Sequence, residues 1–129
     1  MAIRIVRLGS PRAPAEGPRL GTVRRPPRGV PKADFAKRDY YDVWLPELAP
    51  SEALVKSGRA AETEAAWARF RKRYRAEMQR PEPSRLLDLL ALLSRSADLA
   101  VGCYCEDERH CHRSVLRELL TERGALLAD

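Results

Sequence analysis

Ile3, Ile5 and Leu8, with Val6 between them, form a β-branched run that stops at Gly9-Ser10-Pro11. The pattern predicts a first strand and its turn. Residues 11–18 are rich in Pro, Ala, Gly and Arg and read as a loop, after which Leu20-Gly21-Thr22-Val23 makes a second short strand. Pro26 and Pro27 end it, because proline has no N–H for a ladder. Arg28-Gly29-Val30-Pro31 is a turn, Ala33 to Lys37 one helical turn, and Tyr40 to Trp44 an extended stretch closed by Pro46. A short helix follows, with Ser51 as its N-cap.

The rhythm then changes to that of long helices. Trp67, Phe70, Tyr74 and Met78 recur at spacings of three, four and four, which predicts a helix over 63–79 with one apolar stripe. Pro81 and Pro83 break it, and Ser84 or Pro83 opens a helix to Leu93 whose six leucines surround most of the cylinder, so it is expected to be well buried. Residues 98–105 (Asp-Leu-Ala-Val-Gly-Cys-Tyr-Cys) are small and apolar in near-continuous fashion, as in a central strand covered on both faces. A polar loop over 106–110 leads to a last helix over 111–122, carrying Val115, Leu116, Leu119 and Leu120 inward and stopping at Gly124. Strands alternating with helices favour an α/β fold, with a small, mostly parallel sheet flanked by helices. At 129 residues, without repeats, the chain is expected to form one domain over 1–129.

Composition narrows the setting. Charged residues make up 33% of the chain, and no apolar run approaches the roughly 20 residues that span a bilayer. The first seven residues carry charges inside their apolar stretch, unlike a secretion signal, so the expected address is the cytoplasm and no membrane partner is expected. The net charge is +6, and residues 1–50 hold ten Arg or Lys against five Asp or Glu. A second basic run, residues 69–75, has five cations in seven residues, tempered by Glu62, Glu64 and Glu77. Nucleotide or nucleic acid is a fitting partner for such charge, and a solvated helix face is the simpler account of it.

Two stretches carry a family resemblance. One runs from Arg19-Leu20-Gly21-Thr22-Val23 through Pro27-Arg28-Gly29 and Asp42-Val43-Trp44-Leu45-Pro46 to Ser51; the other is Phe70 to Glu77. Together with Cys105 and Cys111-His112-Arg113, they resemble the DUF488 family in its YeaO-like branch over nearly the whole chain. Members of that branch tend to read Asp-Arg-x-x-Pro-Arg-Gly where this chain has Val23-Arg24-Arg25-Pro26-Pro27-Arg28-Gly29. Val23 thus replaces the acid, and Pro26 the aromatic before Pro-Arg-Gly. The family has no established activity, so the resemblance implies a compact α/β fold and brings no catalytic residue with it.

Chemistry is expected where the central strand hands over to the last helix, because open α/β sheets bind ligands outside the carboxyl ends of their strands. Both histidines, His110 and His112, and all three cysteines, Cys103, Cys105 and Cys111, fall there. A helix N-terminus favours anions, so the leading expectation is a phosphate, nucleotide or nucleic-acid site at His112 and Arg113, joined by Arg24, Arg25 and Arg28 from the Pro-rich loop. In the alternative, these arginines pair with acids such as Asp42, Glu106 and Asp107. The same location lowers a thiol pKa and makes Cys111 a candidate catalytic nucleophile or redox thiol. Cys111 and Arg117 match the spacing of a cysteine-phosphatase loop, yet the segment between them has no glycine and reads as helix. A third expectation is zinc on Cys103, Cys105, Cys111 and a histidine, although paired zinc cysteines are usually two residues apart and here one intervenes. The simpler reading of Cys103 and Cys105 is core packing, so no metal site and no cofactor is assigned. Tyr40, Tyr41 and Trp44 are expected to cover the sheet rather than to stack on bases.

Overall fold

The computed structural model describes residues 1–128. Five strands form one parallel sheet: β1 (Ile3–Arg7), β2 (Arg19–Gly21), β3 (Val43–Trp44), β4 (Leu99–Cys103) and β5 (Leu127–Ala128), in the order β3-β2-β4-β1-β5. The α/β expectation holds. β4 is central: Val101 lies beside both Ile5 of β1 and Leu20 of β2. The last strand has only two residues and too little pattern to be read ahead of time. β2 and β3 are shorter than their apolar stretches, because the chain turns away at the Pro-rich segment and at Pro46.

Side chains alternate across the sheet, so Ile3, Ile5, Leu20, Leu99 and Val101 share one face. Against it pack the four helices, α1 (Glu52–Arg59), α2 (Glu64–Met78), α3 (Pro81–Leu93) and α4 (His112–Glu122). Leu54, Phe70, Tyr74, Met78, Leu87, Leu90, Val115, Leu116, Leu119 and Leu120 fill that core. Ser51 and Thr63 cap α1 and α2 by accepting from Leu54 N and Ala66 N. Two expectations for α3 need correcting. The helix begins at Pro81, since proline is accommodated in a first turn whose N–H groups lack partners anyway. It is also not buried all round: Leu89 and Leu92 are exposed, because helices cover it on one side only.

The other sheet face meets irregular chain. Tyr41 lies on Gly21, where a Cβ would overlap its ring, and Leu8 lies over Gly102. Gly17 has φ +78° and approaches the Asp98 carbonyl too closely for any side chain. Beneath these segments sits Arg19, fully buried on β2. Its guanidinium pairs with the equally buried Glu16 and donates to the carbonyls of Ser10 (2.8 Å), Asp39 (2.6 Å) and Pro11 (3.3 Å). Its backbone N–H donates to Asp42, whose carboxylate Arg12 also holds. One charged side chain thereby ties two loops to the sheet.

Burial opposes ionisation of Glu16 and Asp42, but the bonds from Arg19, Arg12 and backbone N–H groups outweigh it and hold both carboxyls below their usual values. Groups with depressed folded pKa stabilise above their unfolded values and lose that contribution as pH falls through the folded ones. Stability should thus decline below about pH 4. Arg19→Met should cost about 3–5 kcal/mol at neutral pH, since it strands Glu16. Urea unfolding at roughly pH 7 and pH 3 checks both, the variant showing the weaker acid dependence.

Candidate functional site

β4 delivers Cys103 to the carboxyl edge of the sheet, on the helix side that it shares with Val101. The expected strand end at Cys105 moves back to Cys103, and Cys105 lies in the exposed connection. That connection makes a short 3-10 turn at Glu108–His110 and returns through Cys111, whose extended backbone makes it the N-cap of α4. Capping is ordinarily done by an oxygen; here the Cys111 sulfur accepts from the Arg113 N–H at 3.5 Å.

Around this cap the rare residues converge. Cys103 donates to Cys105 with 3.6 Å between sulfurs. His112 turns its Nδ1 to the Cys111 sulfur at 3.8 Å and its Nε2 to the Thr22 carbonyl at 2.7 Å. A carbonyl can only accept, so Nε2 carries a hydrogen and Nδ1 is the ring atom that faces the thiol. Thr22 is held in turn, its hydroxyl donating to the Gly102 carbonyl at 2.9 Å. Tyr74 packs its ring edgewise on His112, with centroids 5.5 Å apart, and donates its hydroxyl to the Leu48 carbonyl.

The thiols differ in their acidity. Hydrogen bonds from Cys103 and Cys105, then His112, outweigh burial and hold the Cys111 thiol far below the ordinary cysteine value. Its bonds to Cys105 and Cys111, with burial, push Cys103 far up. A bond from Cys103 pulls Cys105 down, but Cys111 and burial prevail and leave it raised. Arg113 is 4% exposed, and its guanidinium lies against Cys105: it donates to the Cys105 carbonyl and favours the ionised form of that thiol, with no ion pair and no partner for Nε among the described residues. Cys103, Cys111 and His112 also place ligand atoms within 4.8 Å of one another, close enough for a shared metal ion.

The structure brings Cys111, His112 and Arg113 together with Cys103 and Cys105. It does not bring the Pro-rich-loop arginines to them. Arg24 donates to the carbonyls of Pro46, Ala49 and Pro50, Arg25 pairs with Glu52, and Arg28 is exposed. The acids named as their alternative partners are held by other arginines, Asp42 by Arg12, Glu106 by Arg7 and Asp107 by Arg109. His110 is exposed, beside Trp67, and Arg117 pairs with Glu108. Within the 69–75 run, Arg71 and Arg75 pair with Glu118 and Glu122 of α4. Thr22 and Tyr74 are participants with no sequence signal, since one acts through its carbonyl and the other reads as core. Tyr41 is a third, buried with its hydroxyl unpaired among the described residues.

A parallel sheet whose central strand ends in a buried Cys–His pair at a helix start defines an α/β domain with a thiol centre at its carboxyl edge. Residues 3–124 match the sequence model described as DUF488-N3a, "Active DUF488-N3 subclade", and the chain belongs to the DUF488 family. The match does not bear on the YeaO-like branch. No curated protein and no solved structure gives a match. No helix among the described residues is long and apolar enough to cross a membrane.

Because Arg24 clips carbonyls away from the thiols, Arg24→Met should lower stability by about 1–3 kcal/mol, leaving carbonyls unpaired. The alkylation rates of the three cysteines should stay as they are. Urea midpoints and mass-spectrometric mapping of iodoacetamide adducts read the two effects separately.

Proposed function

We propose that this protein is an enzyme that works through the Cys111 thiolate, with His112 as its base and Arg113 as the fixed positive charge beside it. The observation that carries the reading is the alignment of Cys111 sulfur, His112 ring and Thr22 carbonyl, at 3.8 Å and 2.7 Å. It has the three parts of an activated nucleophile: the attacking atom, its base, and a third group that orients the base. His112 Nδ1 takes the thiol proton, the thiolate attacks an electrophilic centre, and the same nitrogen returns the proton to the leaving group. The family description supports the reading, since its subclade is called active.

The anionic ligand expected from the sequence enters this scheme as the substrate. The start of α4 and the buried charge of Arg113 favour a molecule bearing phosphate or carboxylate. Cys111 is 2% exposed, and Cys105, which interacts with it, is the exposed member of the cluster. A substrate therefore reaches the nucleophile by displacing the Cys105 segment.

The test is alkylation by iodoacetamide at neutral pH of Cys105→Ser protein stripped of metal by a chelator. Cys111 should react at least ~10-fold faster than Cys103, and His112→Gln should remove the difference. Turnover of phosphate- or carboxylate-bearing electrophiles should fall by about 100-fold or more in Cys111→Ser. A Cys111 that reacts only after unfolding would overturn the proposal.

A further inference from the structure

We infer that Cys103, Cys105, Cys111 and His112 bind one zinc ion in a tetrahedral site. The inference rests on the thiolate reading of the same corner, with one role exchanged: when the ion is bound, His112 Nδ1 is a ligand and the metal, not that nitrogen, keeps Cys111 ionised. In a tetrahedron with Zn–S bonds of about 2.3 Å, two sulfurs stand about 3.8 Å apart, and a sulfur and an imidazole nitrogen about 3.6 Å. The Cys103 and Cys105 sulfurs are 3.6 Å apart, and the Cys111 sulfur is 3.8 Å from His112 Nδ1. Two opposite edges of such a polyhedron are therefore already laid out. Cys103, Cys111 and His112 converge within 4.8 Å and all three are buried, while Cys105, outside that group, touches Cys103 and closes the set by swinging its sulfur inward.

The surroundings fit a metal ligand set as well as the set itself does. Metal-binding histidines characteristically donate their second nitrogen to a carbonyl or carboxylate, as His112 does to Thr22 at 2.7 Å. Each thiol that joins the ion gives its proton to solvent, so three thiolates and Zn²⁺ carry one net negative charge. Arg113, buried beside them with no carboxylate partner among the described residues, neutralises it. Soft sulfur with one imidazole in tetrahedral array selects zinc over magnesium or calcium. The single residue between Cys103 and Cys105 is no obstacle, because the strand ends at Cys103, the chain bends at Tyr104 and the two sulfurs stand 3.6 Å apart. Three ligands are buried while Cys105 is exposed, so Cys105 is the ligand that an incoming substrate displaces.

Protein purified without chelator should contain about one zinc per chain by elemental analysis. Replacing zinc with cobalt should produce the intense sulfur-to-metal charge transfer and strong visible bands of a tetrahedral thiolate site. Cys105→Ser should keep the cobalt spectrum with about a third less charge-transfer intensity, one of three thiolates being lost. Cys103→Ser and Cys111→Ser should abolish it. The unaltered protein alone suffices to overturn the inference, should it be reduced, folded and free of zinc and give no tetrahedral cobalt spectrum. Iron or copper in place of zinc would overturn it too. If Cys111 still alkylates rapidly in such a metal-free chain, the thiol enzyme stands and only zinc falls. Zinc present with an unreactive Cys111 supports the metal and removes the enzyme.

Discussion

The burial of β4 between β1 and β2 is the constraint on which the rest of the structure depends. A strand covered on both faces has room only for small or apolar side chains, and Leu-Ala-Val-Gly-Cys meets that demand. Its register then positions both flanking strands, since Arg19, Leu20 and Gly21 lie beside Ala100, Val101 and Gly102. The same register carries Thr22 to the end of β4, where its N–H and hydroxyl both donate to the Gly102 carbonyl. The Thr22 carbonyl that orients His112 is therefore a consequence of sheet pairing. A catalytic geometry built on strand ends inherits the stiffness of the sheet.

Two buried arginines show how differently one side chain can be used. Arg19 faces Glu16, and three backbone carbonyls take much of its remaining donor capacity, so its charge is locally closed. Arg113 has one carbonyl and, among the described residues, no carboxylate. A buried cation needs a nearby anion, because removing an isolated charge from water costs far more than a single hydrogen bond returns. The ionisable group that its charge is shown to favour is the Cys105 thiol. A sulfur ionised in this corner would answer both that charge and the start of α4.

Much of this was legible in the sequence. The apolar stripe from Trp67 to Met78, the Ser51 cap and the small-residue run at 99–103 each follow from local chemistry, and the structure has them where their patterns stand. So does the place of the thiol centre, because rare residues gathered where a strand meets a helix. The neighbours of that centre were not legible. Arg24, Arg25 and Arg28 sit in a conspicuously basic stretch, but charge density does not reveal which carbonyls or carboxylates lie within a guanidinium's reach. Arg24 is taken by the carbonyls after Pro46, which only tertiary folding brings to it. Arg19 was equally opaque, an unremarkable cation by type and the largest fully buried side chain among the described residues.

The one-residue spacing of Cys103 and Cys105 turns on where the strand ends. Had β4 continued through Cys105, as the apolar run suggested, both cysteines would be held flat on the pleat with their α-carbons about 6.5 Å apart, and the second would lie under the helix layer. Because pairing stops at Cys103, Cys105 belongs to a connection free to bend its sulfur back toward its neighbour while its other side meets solvent. Cys111 then arrives from the opposite direction as the first residue of the α4 cap. One cysteine comes from the sheet, one from the helix start and one from the exposed connection between them.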